Sequence, residues 1–256
     1  AQVPANPYDA RQMVDYLGAN LSEAKSLIWT LNLELTPVYA IEPKGPFGRD
    51  VYAVLQELLS GQVQADDCED YVERVSIPAV LSGRSVKLFS GQIIPIIEPQ
   101  NTRGMYGWKV NTLINAALNT VQTQVECTDE EEMRRTLGSF LNRIYYDFRN
   151  LGVTSQDRAL NFATTNAFQA ASTFAQAVAQ NMELDSITME KSPFCRLDSD
   201  CWDVKLKFFD PENNRRARKV FRFTIDVSDL IPVTLGSSNL VYIGLTFEGI
   251  LSTLLA

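Results

Sequence analysis

Apolar residues recur along this chain at two different periods, and the change from one to the other divides it. Near the start, Met13, Tyr16 and Leu17 share one helical face. Asn20 with Glu23 then signals a second helix start, whose stripe is Ala24, Leu27, Ile28 and Leu31 at i, i+3, i+4, i+7. "TPVYAI" reads as a strand, with Pro37 at its beginning and Pro43 just beyond its end, where prolines are tolerated. "PKGPFG" is a turn, and residues 49–59 read as a helix stopped by Ser60-Gly61.

Two β-like runs follow, "YVERVSIPAVL" and "SVKLFSGQIIPIIEP", joined at "SGR" as a hairpin loop. Pro95 among four isoleucines puts that strand at a sheet edge or at a bulge. "NTRGMYGW" leads into a helix with Val110, Leu113, Ile114, Ala117 and Leu118 inward. The best helical pattern is 128–150, with a Thr128/Glu131 capping box and a stripe of Met133, Leu137, Phe140, Leu141, Ile144 and Phe148. Gly152 ends it, and Thr154 caps another long helix with Leu160, Ala163, Ala167, Ala171, Phe174 and Val178 on its inner face. The alanines there predict close packing, so the two helices are expected to form an antiparallel hairpin.

From Leu184 the period becomes two. "SITMEKSPF", "CWDVKLKFF" and "RKVFRFTIDVSDLIPV" read as strands, with "DPENN" as a turn. Trp202, Val204, Leu206 and Phe208 alternate with Asp203, Lys205 and Lys207, so one face is buried. The expected class is α+β, with long antiparallel helices packed on a largely antiparallel sheet. Residues 1–12 read as a linker, 13–236 as a single domain and 237–256 as an apolar tail. The tail's run from Leu240 falls short of the about 20 residues of a membrane span and is interrupted by Glu248, so no membrane role is expected.

Composition removes whole classes of chemistry. The chain of 256 residues carries 23 Lys and Arg against 31 Asp and Glu, a net charge of −8, which disfavours a nucleic-acid footprint. It has no histidine, so Ser-His-Asp and Cys-His arrangements, HExxH zinc sites and His-containing zinc deaminase motifs are excluded. Neither GxGxxG nor GxxxxGK[ST] occurs. Carboxylate pairs, tyrosine and lysine remain as acid–base groups. "AQVPANPYD" lacks the basic and apolar stretches of a signal peptide, and four cysteines are too few for a secreted disulfide scaffold. A cytoplasmic origin is the expectation.

Two stretches could form sites. "NTRGMYGWK" carries Arg103, Tyr106 and Trp108 on a glycine-punctuated loop, residue types that grip peptides, although the same aromatics could fill a gap between sheet and helix. "FCRLDSDCW" holds Cys195 and Cys201 with five residues between them. Three readings stay open for these cysteines: thiols at a turn, a disulfide, or a structural zinc site that would also need Cys68 and Cys127. No cofactor is otherwise required. The acidic run "CTDEEEMRR" reads as a helix start, and the basic "NNRRARK" as a solvated hairpin loop.

The blocks "EAKSLIWTLNLELTPVYAIEPKGPFG", "SGQIIPIIEPQNTRGMYGW" and "SPFCRLDSDCWDVKLKFFDPENN", with "RARKVFRFTIDVSD", resemble the C-terminal domain of unknown function of the subtilisin-like cyanobactin maturation proteases. The resemblance runs from about Met13 to Gly236. It implies that residues 1–12 lead from an upstream protease domain that carries the catalytic triad, and none of those catalytic residues maps here. It further implies a non-catalytic accessory domain of a protein that matures and macrocyclises patellamide-type precursor peptides. The implied partners are the precursor peptide or other enzymes of cyanobactin biosynthesis, with a homodimer as an alternative. An enzyme with a carboxylate- or cysteine-based site acting on the modified peptide is the competing reading.

Overall fold

A computed structural model describes residues 5–112, 115, 151–169, 182–212 and 218–235. Among them the protein is mostly β, with three sheets and short helices. This corrects the expected architecture of long antiparallel helices packed on a sheet. The helices that structure describes run 10 to 15 residues. The first member of the expected hairpin, 128–150, lies outside the described residues, as do the tail 237–256 and most of "NNRRARK".

Helix α1 (Ala10–Ala19) begins inside the stretch expected as linker. The Asp9 carboxylate caps it, accepting from the Arg11 and Gln12 N–H groups at 3.0 and 3.2 Å, and Met13 and Leu17 turn inward. The second expected helix does not form. A short 3-10 turn (Leu21–Ser26) gives way to strand β1 (Trp29–Leu33), which pairs antiparallel with β2 (Thr36–Ile41). Trp29, Leu31 and Leu33 alternate with Thr30 and Asn32, so period two wins over the i, i+3, i+4, i+7 stripe of Ala24, Leu27, Ile28 and Leu31. Trp29 Nε1 donates to the Ala24 carbonyl at 2.9 Å and ties the turn to the strand.

Helix α2 (Gly48–Gln62) buries Val51 and Leu55. It runs through Ser60-Gly61 instead of stopping there, because Gly61 serves close packing: a Cβ at Gly61 would lie 2.4 Å from Val72 Cγ2. Beyond it come β3 (Arg74–Ser76), β4 (Val80–Lys87), β5 (Ile93–Glu98) and β6 (Tyr106–Trp108). "SGR" is an irregularity within β4, between Leu81 and Ser85, rather than a hairpin loop. The hairpin turns later, at Leu88–Gln92, where Gly91 has φ 90°. The first sheet has the order β1-β2-β5-β4, so β5 is central. Pro95 fits there because it faces Ser85 at the irregular stretch, and parallel pairing with β2 involves only Ile96 and Ile97. β3 and β6 make a separate two-stranded ribbon.

Helix α3 (Ser155–Gln169) has the expected cap: Thr154 Oγ1 accepts from Asp157 N–H at 3.1 Å, and the Asp157 carboxylate accepts from Thr154 N–H at 3.2 Å. Strands β7 (Glu183–Lys191), β8 (Cys201–Phe209), β9 (Lys219–Asp226) and β10 (Val233–Thr234) form an antiparallel meander of order β10-β9-β8-β7. Val204, Leu206 and Phe208 of β8 face Phe223, Phe221 and Lys219 across the ladder, and the Phe208 and Phe221 rings meet edge to face at 5.3 Å.

Two outcomes are expected. Phe208→Ala removes a fully buried ring and lowers stability by about 3–5 kcal/mol in urea denaturation. Glu98, at the end of β5, accepts from Lys44 Nζ at 2.6 Å and Arg84 Nη2 at 2.9 Å, and these hydrogen bonds hold its carboxyl below the ordinary carboxylate range. Its contribution is complete above the unfolded value of about 4.3 and is lost as pH falls through the lower folded value. Urea midpoints of the protein and of Glu98→Gln therefore differ at neutral pH and converge in acid.

Candidate functional site

The open edges of two strands face one cavity. β1 pairs only with β2, and β3 only with β6, so each keeps one edge without a strand partner among the described residues. A cavity of about 390 Å³ is lined by every residue of β1 from Trp29 to Leu33 and by Glu73, Arg74 and Val75 of the ribbon. A strand that lines a cavity with consecutive residues, from both its faces, presents its edge to it. Leu55, Leu58 and Leu59 of α2 form the floor, with Val38, Ile41 and Ile77. Glu34, Gln62 and the Glu73–Arg74 ion pair (2.9 Å) supply polar groups to the lining. The volume falls within the range of small-ligand sites, and Thr30 and Asn32 of β1 add further polar groups to a lining of mixed character.

A wider groove of about 770 Å³ opens beyond α2, lined by Val54, Glu57, Gly61, Val72, Met105, Tyr106 and Lys109 among others. Leu58 borders both spaces. Lys109 Nζ reaches Asp70 Oδ1 at 2.6 Å, and that hydrogen bond raises the lysine's pKa. Loop 66–69, behind this groove, is fastened by Asn111, Thr112 and Asn115, which donate to the Asp66, Cys68 and Glu69 carbonyls and to the Glu69 carboxylate at 2.7 to 3.0 Å.

Arg103, Tyr106 and Trp108 do not converge on one exposed face. Trp108 is 7% exposed, and its Nε1 donates to Ser76 Oγ at 2.9 Å. The Ser76 and Thr165 hydroxyls lie 3.4 Å apart, and Thr165 Oγ1 donates to the Asn161 carbonyl at 3.0 Å. Trp108 is therefore packed between ribbon and α3, the gap-filling alternative. Tyr106 lines the wider groove, while Arg103 is exposed on its loop.

Cys195 and Cys201 are joined in a disulfide, with Cα atoms 5.6 Å apart. Bonded sulfurs are not thiolate ligands. Cys68 is a free thiol in the loop between α2 and β3, and Cys127 lies outside the described residues. Among the described residues no group of three or more His, Cys, Asp or Glu could hold a metal ion. No helix among them is long and apolar enough to cross a membrane.

Two features escaped the sequence. One is the β1 edge, hidden because Leu31 also completes a helical stripe with Ala24, Leu27 and Ile28. The other is Asp203, fully buried in β8, which accepts from Arg222 Nη2 and from Thr224 Oγ1 (2.7 Å) on β9. Only the register of β8 against β9, with Asp203 opposite Thr224, brings the three together.

The chain matches two family models, one described as PatG Domain over residues 1–83 and one as PatG C-terminal over residues 127–240. A solved structure described as the PatG Domain of Unknown Function is 56% identical, with a TM-score of 0.85. The match covers 91% of this chain and 87% of that one. No curated protein is significantly similar.

Ser76→Ala is expected to cost about 1–3 kcal/mol in urea denaturation, because it strands the buried Trp108 N–H. A neutral result would show that this hydrogen bond does not hold the ribbon to α3.

Proposed function

The chain belongs to the PatG domain-of-unknown-function family, and we propose that it acts as a non-catalytic accessory domain that holds an extended peptide. The observation that carries this reading is the cavity between two open strand edges. An extended peptide laid along β1 would satisfy that strand's outward N–H and C=O groups, the mode of strand addition. Its alternate side chains would drop toward Leu55, Leu58 and Leu59, so backbone bonding would supply affinity and the apolar floor selectivity.

The resemblance to the C-terminal domains of subtilisin-like cyanobactin maturation proteases supplies the biological setting of the proposal. There the ligand is a patellamide-type precursor peptide, the bond-breaking chemistry belongs to the protease domain of the same cytoplasmic protein, and this domain positions the peptide. The absence of histidine from the sequence supports leaving the triad chemistry elsewhere.

Isothermal titration of the chain with precursor peptide tests the reading. Binding heat is expected for the native protein and is lost in Leu59→Trp, which fills the cavity floor, while the circular dichroism spectrum is retained. No heat with the native protein, or equal heat from the filled variant, removes the peptide-holding role.

A further inference from the structure

The disulfide and the buried Asp203–Arg222 pair belong to one device. Cys195 is exposed, whereas Cys201 is 1% exposed at the start of β8. The bond between them folds the β7–β8 connection back, and the Phe194 ring lies against the Arg222 guanidinium, 5.7 Å from its centre. Beneath it the Asp203 carboxylate is fully buried, and Arg222 Nε is buried with no acceptor among the described residues.

Both ends of the connection are anchored without the disulfide. Ser192 N–H donates to the Cys201 carbonyl at 3.0 Å. At the other end, Asp200 N–H donates to Ser228 Oγ at 2.8 Å, its carbonyl accepts from Val227 N–H at 2.9 Å, and its carboxylate accepts from Trp202 Nε1 at 2.9 Å and from Lys191. Cutting the S–S bond would thus free residues 193–198, up to Ser199, whose side chain stays hydrogen-bonded to the Asp226 carboxylate, and leave the sheet in place.

We propose that residues 193–198 form a redox-sensitive lid, closed over the Asp203–Arg222 pair by the Cys195–Cys201 disulfide and opened by a dithiol reductant. A thiolate of the reductant attacks the exposed Cys195 sulfur, forming a mixed disulfide and expelling the Cys201 sulfur, which takes up a proton. The second reductant thiol then displaces Cys195 as a thiol. The balance is one protein disulfide and one dithiol giving two protein thiols and one oxidised reductant, a transfer of two electrons and two protons. Lid opening lets water reach Arg222 Nε, satisfying a donor that the closed state leaves without an acceptor, so the open form has its own compensation. Leu197, 93% exposed at the tip, and Phe194 would then move together away from the sheet.

Arg196, exposed within the lid, makes the state readable with trypsin. The full chain is digested with and without dithiothreitol, and cleavage after Arg196 is followed by mass spectrometry. Reduction is expected to speed that cut by about tenfold, reversibly on reoxidation with oxidised glutathione, with the circular dichroism spectrum unchanged. Cys195→Ser should be cut at the fast rate in both conditions. Equal rates with and without reductant overturn the lid. So does alkylation of Cys195 before reduction, which would show that no disulfide exists, or general digestion on reduction, which would make the bond a global brace.

Discussion

A buried hydrogen-bond chain holds the ribbon in place: Trp108 indole to Ser76, Ser76 to Thr165, Thr165 to the Asn161 carbonyl. Ser76 is 1% exposed and Thr165 fully buried, so each hydroxyl must find its partner inside the protein. On the ribbon's other side Val72 packs between Gly61 and Gly107, where added Cβ atoms would come within 2.4 and 3.1 Å of it. Polar satisfaction on one flank and steric contact on the other leave the ribbon little room to slide toward β1. The cavity between the two strand edges is a consequence of that double constraint, and Leu55, Leu58 and Leu59 of α2 make its floor.

Three strand segments were legible: "TPVYAI" from its flanking prolines, "CWDVKLKFF" from strict alternation and the β9 run from a looser one, and all form strands. The Thr154 cap was legible too, because a side chain three residues from its partner is a local signal. What misled were signals with two physical meanings. Gly61 looked like a helix stop and is a packing contact. "SGR" and "SGQ" both carry Ser-Gly, and only tertiary pairing decides that the second turns the chain while the first makes an irregularity within β4. At Ala24–Leu31 the helical stripe and the strand alternation share Leu31, and pairing with Tyr39 resolves the conflict.

The same asymmetry governs the candidate site. Residue types had pointed to Arg103, Tyr106 and Trp108, yet types do not tell which side of an aromatic is wrapped, and Trp108 faces inward. Open strand edges leave no residue-type signature, since the groups that lack a strand partner among the described residues are backbone atoms common to all residues. The cysteine pair allowed several chemistries at its spacing, and the fold selects among them by placing one sulfur at the buried start of β8 and the other on the loop that leads into it.

Open edges carry a hazard that the sequence must offset, because an unpaired edge templates further strands and aggregation. At β1 the ladder is irregular between Leu31 and Asn32, which interrupts a flat template. The facing ribbon strand is three residues long, with charged Glu73 and Arg74 beside the gap. A long β-stack would meet those charges and the irregular register, whereas a short extended segment needs only a few backbone bonds and one or two apolar side chains reaching the α2 leucines. The features that suppress edge-to-edge association are thus compatible with one short guest strand.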